Sequence, residues 1–347
     1  MTLQSLEIKD ELTPRERMKA FWAREPIDRV PCIPLIADHA GYFYGVKISD
    51  YNRSAEIMAN SHLAIYREIK TDGICLPGGW KAVAEAMGSK LVFPDNDTPY
   101  VSANAIKEKK DIGQLQPVDP QKDGRLPLHL EALRRILDQV GREVEVEIQV
   151  GGPLSLASAL IGTEALLKDF YFDPDYVHAV LRIATDSVIN YCCAIIASGG
   201  IPWTSEPVAS GSLLSPAHFE RFALPYLKEV ESFIFEQIGQ AQLHICGNTR
   251  KIWHLMADTG ATVLSLEEAI DLGNAKAAVG DRVGLMGTVA PLNLLLGTPE
   301  QVRGEARQCL AKAQDNPRGF ILSSGCGVAI GTPTENLKAL LETAQQA

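Results

Sequence analysis

The sequence predicts an α/β fold, a (β/α)8 TIM barrel, as one domain over residues 1–347, with extra N-terminal helices and excursions over the barrel mouth. Three observations predict it. Eight short β-branched or apolar runs ending in Gly, Pro or polar residues recur along the chain, and longer amphipathic stretches separate them. An early glycine-rich phosphate turn, which an open doubly wound sheet would offer, is missing. Strands alternating with helices in one direction run parallel with right-handed crossovers, and eight of them match a closed barrel. At 347 residues and 46% hydrophobic, the chain can bury a core of that size.

The first run is 31–36 (PCIPLI), followed by Ala37-Asp38-His39-Ala40-Gly41-Tyr42, which has no phosphate-turn pattern. The others are 72–77, 145–151, 201–207, 242–247, 262–267, 282–287 and 320–325. Wide spacing between the first three runs puts extra helices or irregular excursions in 37–71 and 78–144, and Phe93-Pro94-Asp95-Asn96-Asp97-Thr98-Pro99 reads as a loop. Three helix starts share one signal: Thr13-Pro14-Arg15-Glu16, Thr298-Pro299-Glu300-Gln301 and Thr332-Pro333-Thr334-Glu335. In each, threonine can cap the first free amides, proline presets the first turn, and Glu or Gln can reach back to close a capping box.

Charge narrows the partners. With 43 acidic against 33 basic residues the formal charge is −10, and no long basic run could neutralise phosphates or anionic lipid, so neither nucleic acid nor a membrane is expected. Met1 to Glu11 lacks a basic region followed by an apolar one, and no stretch reaches about 18 uninterrupted apolar residues, so the expected address is cytoplasmic. Seven scattered cysteines are unlike a secreted disulfide scaffold and are expected to be reduced.

In such a barrel the strand ends share one site, even when they are far apart in sequence. Those ends supply Glu206, His244, Cys246, Glu267, Glu268, Gly287 and Cys326. A period of two puts His244 and Cys246 on the same face, with Ile245 turned outward. Cys326 arrives from the last strand between Gly325 and Gly327, which would let the backbone approach an ion. One nitrogen and two sulfurs suit zinc with an open fourth position, the arrangement of catalytic sites. Taken alone, His-x-Cys also fits a buried cysteine beside a hydrogen-bonded histidine. His39 is read as a loop residue that could touch substrate or simply hydrogen-bond; His62, His129, His178, His218 and His254 are read as helical surface or packing groups. Adjacent Cys192 and Cys193 diverge by about 100° on a helix and are read as packing, as are Cys32 and Cys75 in the barrel core.

The stretch His244-Ile245-Cys246-Gly247-Asn248, then Ser265-Leu266-Glu267-Glu268 and Asp271-Leu272-Gly273-Asn274-Ala275-Lys276, and finally Gly325-Cys326-Gly327 with Thr332-Pro333-Thr334-Glu335-Asn336-Leu337, resembles the methylcobamide:coenzyme M methyltransferases. These belong to the uroporphyrinogen decarboxylase superfamily. Further similarity lies in Glu16-Arg17-Met18, Asp28-Arg29-Val30-Pro31, Ala84-Glu85-Ala86-Met87-Gly88, Glu206-Pro207-Val208-Ala209-Ser210 and Leu214-Ser215-Pro216, so the resemblance covers nearly the whole chain. It implies that His244, Cys246 and Cys326 bind zinc and form the catalytic set. The decarboxylases use no metal and carry an arginine-rich segment after the first strand, where this chain has 37–42 without arginine.

The implied activity is zinc-dependent methyl transfer between a methyl-corrinoid (methylcobalamin) on a separate corrinoid protein and a small thiol such as coenzyme M. Nothing in the chain resembles the cobalamin segment Asp-x-His-x-x-Gly. Glu206 is the first candidate for the fourth zinc position, with a structural hydrogen bond as the other reading, and Glu267 is the second candidate. Two alternatives stay open: demethylation of a methoxylated or methylated donor toward corrinoid, and a metal-free decarboxylase-like enzyme.

Overall fold

Two prolines decide how the barrel closes. In the computed structural model, which describes residues 10–347, the run 31–36 is extended but its ladder is reduced to a single parallel bridge, Cys32 to Leu322. Pro31 and Pro34 have no N–H to give a ladder. The segment still fills the gap between the first and last strands. Leu322 N donates to Pro31 O at 2.8 Å, Ile33 N to Leu322 O at 2.9 Å, and Asp72 N to Cys32 O at 3.0 Å. The expected first strand is therefore an extended closing segment. Residues 1–9, most of the Met1–Glu11 stretch read above for a leader, lie outside the described residues.

In chain order the strands are β1 (Gly73–Leu76), β2 (Lys90–Val92), β3 (Tyr100–Ala103), β4 (Glu145–Gly151), β5 (Ile201–Ser205), β6 (Gln242–His244), β7 (Val263–Ser265), β8 (Gly284–Val289) and β9 (Phe320–Ser324). Seven pair in parallel in the order β1-β4-β5-β6-β7-β8-β9, one for each of the remaining sequence runs, and helices surround them in a TIM-barrel arrangement. β2 and β3 form a separate antiparallel hairpin whose connection is the expected loop 93–99. Gap 37–71 holds the helices His39–Phe43, Ile48–Tyr51 and Ala55–Ile69.

Period-two alternation fills the barrel interior. Ile33, Leu35, Cys75, Trp203, Val263, Met286 and Ile321 pack together there, and Met18 and Phe21 of the helix Pro14–Ala23 join them. Trp203 Nε1 donates to Cys75 Sγ at 2.8 Å, and Gln242 Nε2 to Glu147 Oε1 at 2.7 Å. Asp72, just before β1, is held by two buried arginines, Arg17 and Arg29.

Thr13 and Thr298 cap their helices with complete boxes, as their motifs require. Thr332 does not. Its hydroxyl donates to Ala329 O at 2.8 Å, and the last helix, Thr334–Gln345, begins without a side-chain cap. The helix Pro174–Ala197 is long and apolar enough to cross a membrane by length and composition alone. Here it buries Val177, Val180, Leu181, Ala184, Val188, Tyr191 and Ile195 at helical spacing, while Arg182 on another face pairs with Asp186 and Glu229. Cys192 packs as expected, but Cys193, also read as packing, is exposed, because adjacent helix positions diverge.

One outer helix carries a conspicuous burial cost. Glu231, on the helix Leu224–Ile238, is fully buried, and neither carboxyl oxygen has a hydrogen-bond partner among the described residues. Burial pushes it up to about 8, against a smaller opposing pull from the Thr204 hydroxyl. A folded value above the unfolded one means that the native state keeps the proton longer. This stabilisation is complete below about pH 4.5 and is lost as pH rises through about 8. Glu231→Met is expected to raise the unfolding temperature by a few degrees, from about 1–3 kcal/mol of relieved desolvation, and by more at pH 8.5 than at pH 6. Thermal unfolding at the two pH values checks it; an equal gain at both would contradict the protonation argument.

Candidate metal centre

β6 ends at His244, and its register pairs that residue with Ser205 on one side and Ser265 on the other. Ser265 Oγ lies 3.1 Å from His244 Nδ1, which leaves Nε2 as the nitrogen facing the site. Two residues on, Cys246 Sγ stands 3.3 Å from Nε2, and Cys326 Sγ, from the loop after β9, stands 3.7 Å from it. Glu267, two residues beyond Ser265, brings a carboxylate oxygen to the same point. One ligand atom from each of His244, Cys246, Glu267 and Cys326 lies within 4.8 Å of the others.

These distances fit zinc. Tetrahedral bonds of about 2.3 Å to sulfur and 2.05 Å to nitrogen set S and N about 3.6 Å apart. The hydrogen-bonded Nδ1 matches the outer-shell support usual for ligating histidines. Electrostatics agree with the donor set. Cys246 and His244 hold the Cys326 thiol below its ordinary value, while Cys326 and burial push Cys246 up. Burial raises Glu267.

Gly325 serves packing in place of the close approach to an ion expected of it. A Cβ there would meet Glu268 N at 2.9 Å, so the absence of a side chain lets the Cys326 loop pack onto the β7 loop. Gly327 faces open space and has no such constraint.

The structure does not bring Glu206 into this group. It is fully buried, and its oxygens accept from Leu154 N at 2.9 Å, Ser155 N at 2.6 Å and the Ser155 hydroxyl, at the start of the helix Pro153–Ile161. Free amides and the positive end of a helix satisfy a carboxylate well. Burial nevertheless pushes Glu206 up to about 7. The structural hydrogen bond is thus the reading that the geometry matches, and Glu267 takes the place expected for Glu206 at the cluster.

The cluster borders a cavity of about 250 Å³ whose wall includes Trp80, Lys81, Arg125, His129, Gln149 and Trp203. Of these, sequence reasoning singled out only His129, and as a packing residue. It is buried, with Nδ1 3.3 Å from Tyr191 OH, yet it borders the cavity. For Trp80 and Lys81 the signal was the Gly78-Gly79-Trp80-Lys81 turn after β1; Gln149 and Trp203 lie within the strand runs 145–151 and 201–207. His39 begins a short helix instead of sitting in a loop; it is buried, neither ring nitrogen has a partner among the described residues, and it does not line the cavity. His62 is a packing residue, with Nε2 2.7 Å from Tyr51 OH.

A family model described as uroporphyrinogen decarboxylase (URO-D) matches residues 13–347. The chain belongs to the uroporphyrinogen decarboxylase family. Within that family it is 31% identical over 342 residues to the methylcobamide:CoM methyltransferase MtaA of Methanosarcina barkeri, covering 95% of this chain and 97% of that protein. It is 28% identical to the methylcobamide:CoM methyltransferase MtbA of Methanosarcina mazei, covering 96% and 98%. A uroporphyrinogen decarboxylase of Prochlorococcus marinus is 30% identical over 80% of this chain and 79% of its own length. Among solved structures, a methyltransferase from Methanosarcina mazei superimposes with a TM-score of 0.88 at 31% identity, covering 97% of this chain and 99% of that one. The chain is an enzyme, a methyltransferase-type member of the uroporphyrinogen decarboxylase family.

Proposed function

We propose that this enzyme moves a methyl group between a methyl-corrinoid carried by a separate protein and a small thiol such as coenzyme M, with zinc held by His244, Cys246 and Cys326. The observation that carries the proposal is the arrangement of one imidazole nitrogen and two sulfurs at tetrahedral zinc spacing on the wall of a small cavity. When bound, zinc supplies a Lewis acid that makes a coordinated thiol a thiolate at neutral pH. Ser265 holds the imidazole so that Nε2 faces the site. Glu267 stands where an acceptor thiol would arrive, and its carboxylate is the base within reach of that thiol's proton.

Cavity size supports a small acceptor, since 250 Å³ lies below the range of about 300–1,000 Å³ usual for larger ligands. A corrinoid therefore belongs at the barrel mouth, presented by its partner. Decarboxylation of a polyanionic substrate has weaker support, because among the described residues only Lys81 and Arg125 bring lysine or arginine side chains to the cavity wall. All seven cysteines are free, in keeping with a reducing, cytoplasmic setting.

The test is elemental analysis of the purified enzyme, followed by spectroscopic assay of methylcobalamin demethylation with a panel of thiols. About one zinc per chain and thiol-dependent demethylation are expected. Protein prepared under reducing conditions without zinc, and inactive when zinc is added, would overturn the proposal.

A further inference from the structure

The cavity wall carries two chemically different groups. The sulfur and imidazole cluster is one, and a cationic side chain from the helix Gly79–Ala86 is the other. Arg125, the second such cation on the wall, is already tied to the protein: Nε donates to Glu85 at 2.7 Å, Nη1 to Asn52 O at 3.0 Å, and the guanidinium lies 4.4 Å from the Phe93 ring centre. Lys81 has no hydrogen bond and no ion pair with any described residue. Its Nζ sits 5.5 Å from the ring centre of Trp80, itself part of the cavity wall.

Two carboxylates act on Lys81 only from beyond ion-pair distance. Asp38 is buried and accepts from Asn52 Nδ2 at 3.3 Å, and Asp97 is exposed on the 93–99 loop. Burial holds the Lys81 ammonium below its ordinary value, with Asp38 and Asp97 opposing. A charge kept half-buried without a partner is costly unless a ligand supplies the opposite charge.

The backbone contributes the same sign. Gly78 gives the first-turn amides of this helix no side-chain cap, and Gly78 to Ala82 all line the cavity, so the positive end of the helix lies at the same wall. The turn is pressed onto β4: a Cβ on Gly78 would meet Ile148 Cγ2 at 2.9 Å, and Gly79 has φ +36°.

We propose that Lys81 is the specificity-determining residue for the head group of the small substrate. The molecule whose sulfur reaches the cluster carries one sulfonate or carboxylate at its other end, and Lys81 binds that anion. This assignment rests on the methyl-transfer reading above. Arg125 stays with Glu85 and Asn52 and shapes the wall.

The experiment compares wild type, Lys81→Met and Lys81→Arg with methylcobalamin as donor and four thiols: 2-mercaptoethanesulfonate, 3-mercaptopropionate, 2-mercaptoethanol and cysteamine. Wild type is expected to show KM roughly tenfold or more lower for the two anionic thiols than for 2-mercaptoethanol. Lys81→Met is expected to erase that difference with kcat at saturation little changed, and Lys81→Arg to retain most of it. Calorimetric binding of ethanesulfonate and propionate, which have no thiol, is expected for wild type and lost in Lys81→Met. Equal KM for charged and neutral thiols in wild type, or an equal rise for all thiols in Lys81→Met, would overturn the assignment. If no thiol is methylated, methyl transfer to thiols fails, and binding of the thiol-free anions still decides whether Lys81 is an anion site.

Discussion

Cys326→Ala is expected to abolish stoichiometric zinc and reduce methyl transfer by more than about 100-fold, because loss of a direct ligand exceeds the 10–100-fold cost typical of an outer-shell partner. Ser265→Ala supplies that milder comparison. It removes the group 3.1 Å from His244 Nδ1 and leaves all three first-contact donors in place. Elemental analysis and chelator competition on the two variants should rank them wild type, Ser265→Ala, Cys326→Ala. Full zinc occupancy in Cys326→Ala would show that the metal, if present, does not use this sulfur.

Arg17→Met is expected to destabilise the fold by about 3–5 kcal/mol at neutral pH, since it strands buried carboxylates. Arg17 is fully buried; its guanidinium donates to Asp28 at 2.6 and 2.7 Å and to Asp72 at 2.5 Å. Arg29 also holds Asp72, at 2.6 Å, but cannot replace the contacts to Asp28. Although burial alone would raise Asp28, hydrogen bonds from Arg17 and Leu12 hold it down at about 2. A depressed folded value means stabilisation that is present above the ordinary unfolded value near 3.8 and lost as pH falls through about 2. The gap between wild type and Arg17→Met should therefore narrow on acidification from about pH 4 toward pH 2. Denaturant unfolding across that range checks it, and a constant gap would separate the destabilisation from the ion pairs.

Much of the barrel was legible because its signals are local. A strand's period of two needs only neighbouring residues, so His244 and Cys246 could be placed on one face from the run 242–247 alone. Thr13 and Thr298 could be read as caps because a capping box spans four residues. Thr332 shows the limit of that reasoning. Its motif is the same, but a carbonyl three residues back, Ala329 O, takes the hydroxyl.

Tertiary structure decided the features that depend on register and on competition between distant partners. Pro31 and Pro34 were visible, but their effect on barrel closure depends on which strand lies alongside. Glu206 and Glu267 both follow strand ends; the helix starting at Pro153 gathers the first, and Ser265 pairing with His244 brings the second to the sulfurs. No sequence motif marks Lys81 as an anion binder; the fold puts it on the cavity wall with no ion pair to any described residue. The sequence by itself determined the donor types, the strand faces and the family. The fold alone chose among chemically equivalent carboxylates and lysines, because that choice depends on which amides and charges lie within a few ångströms across strands far apart in the chain.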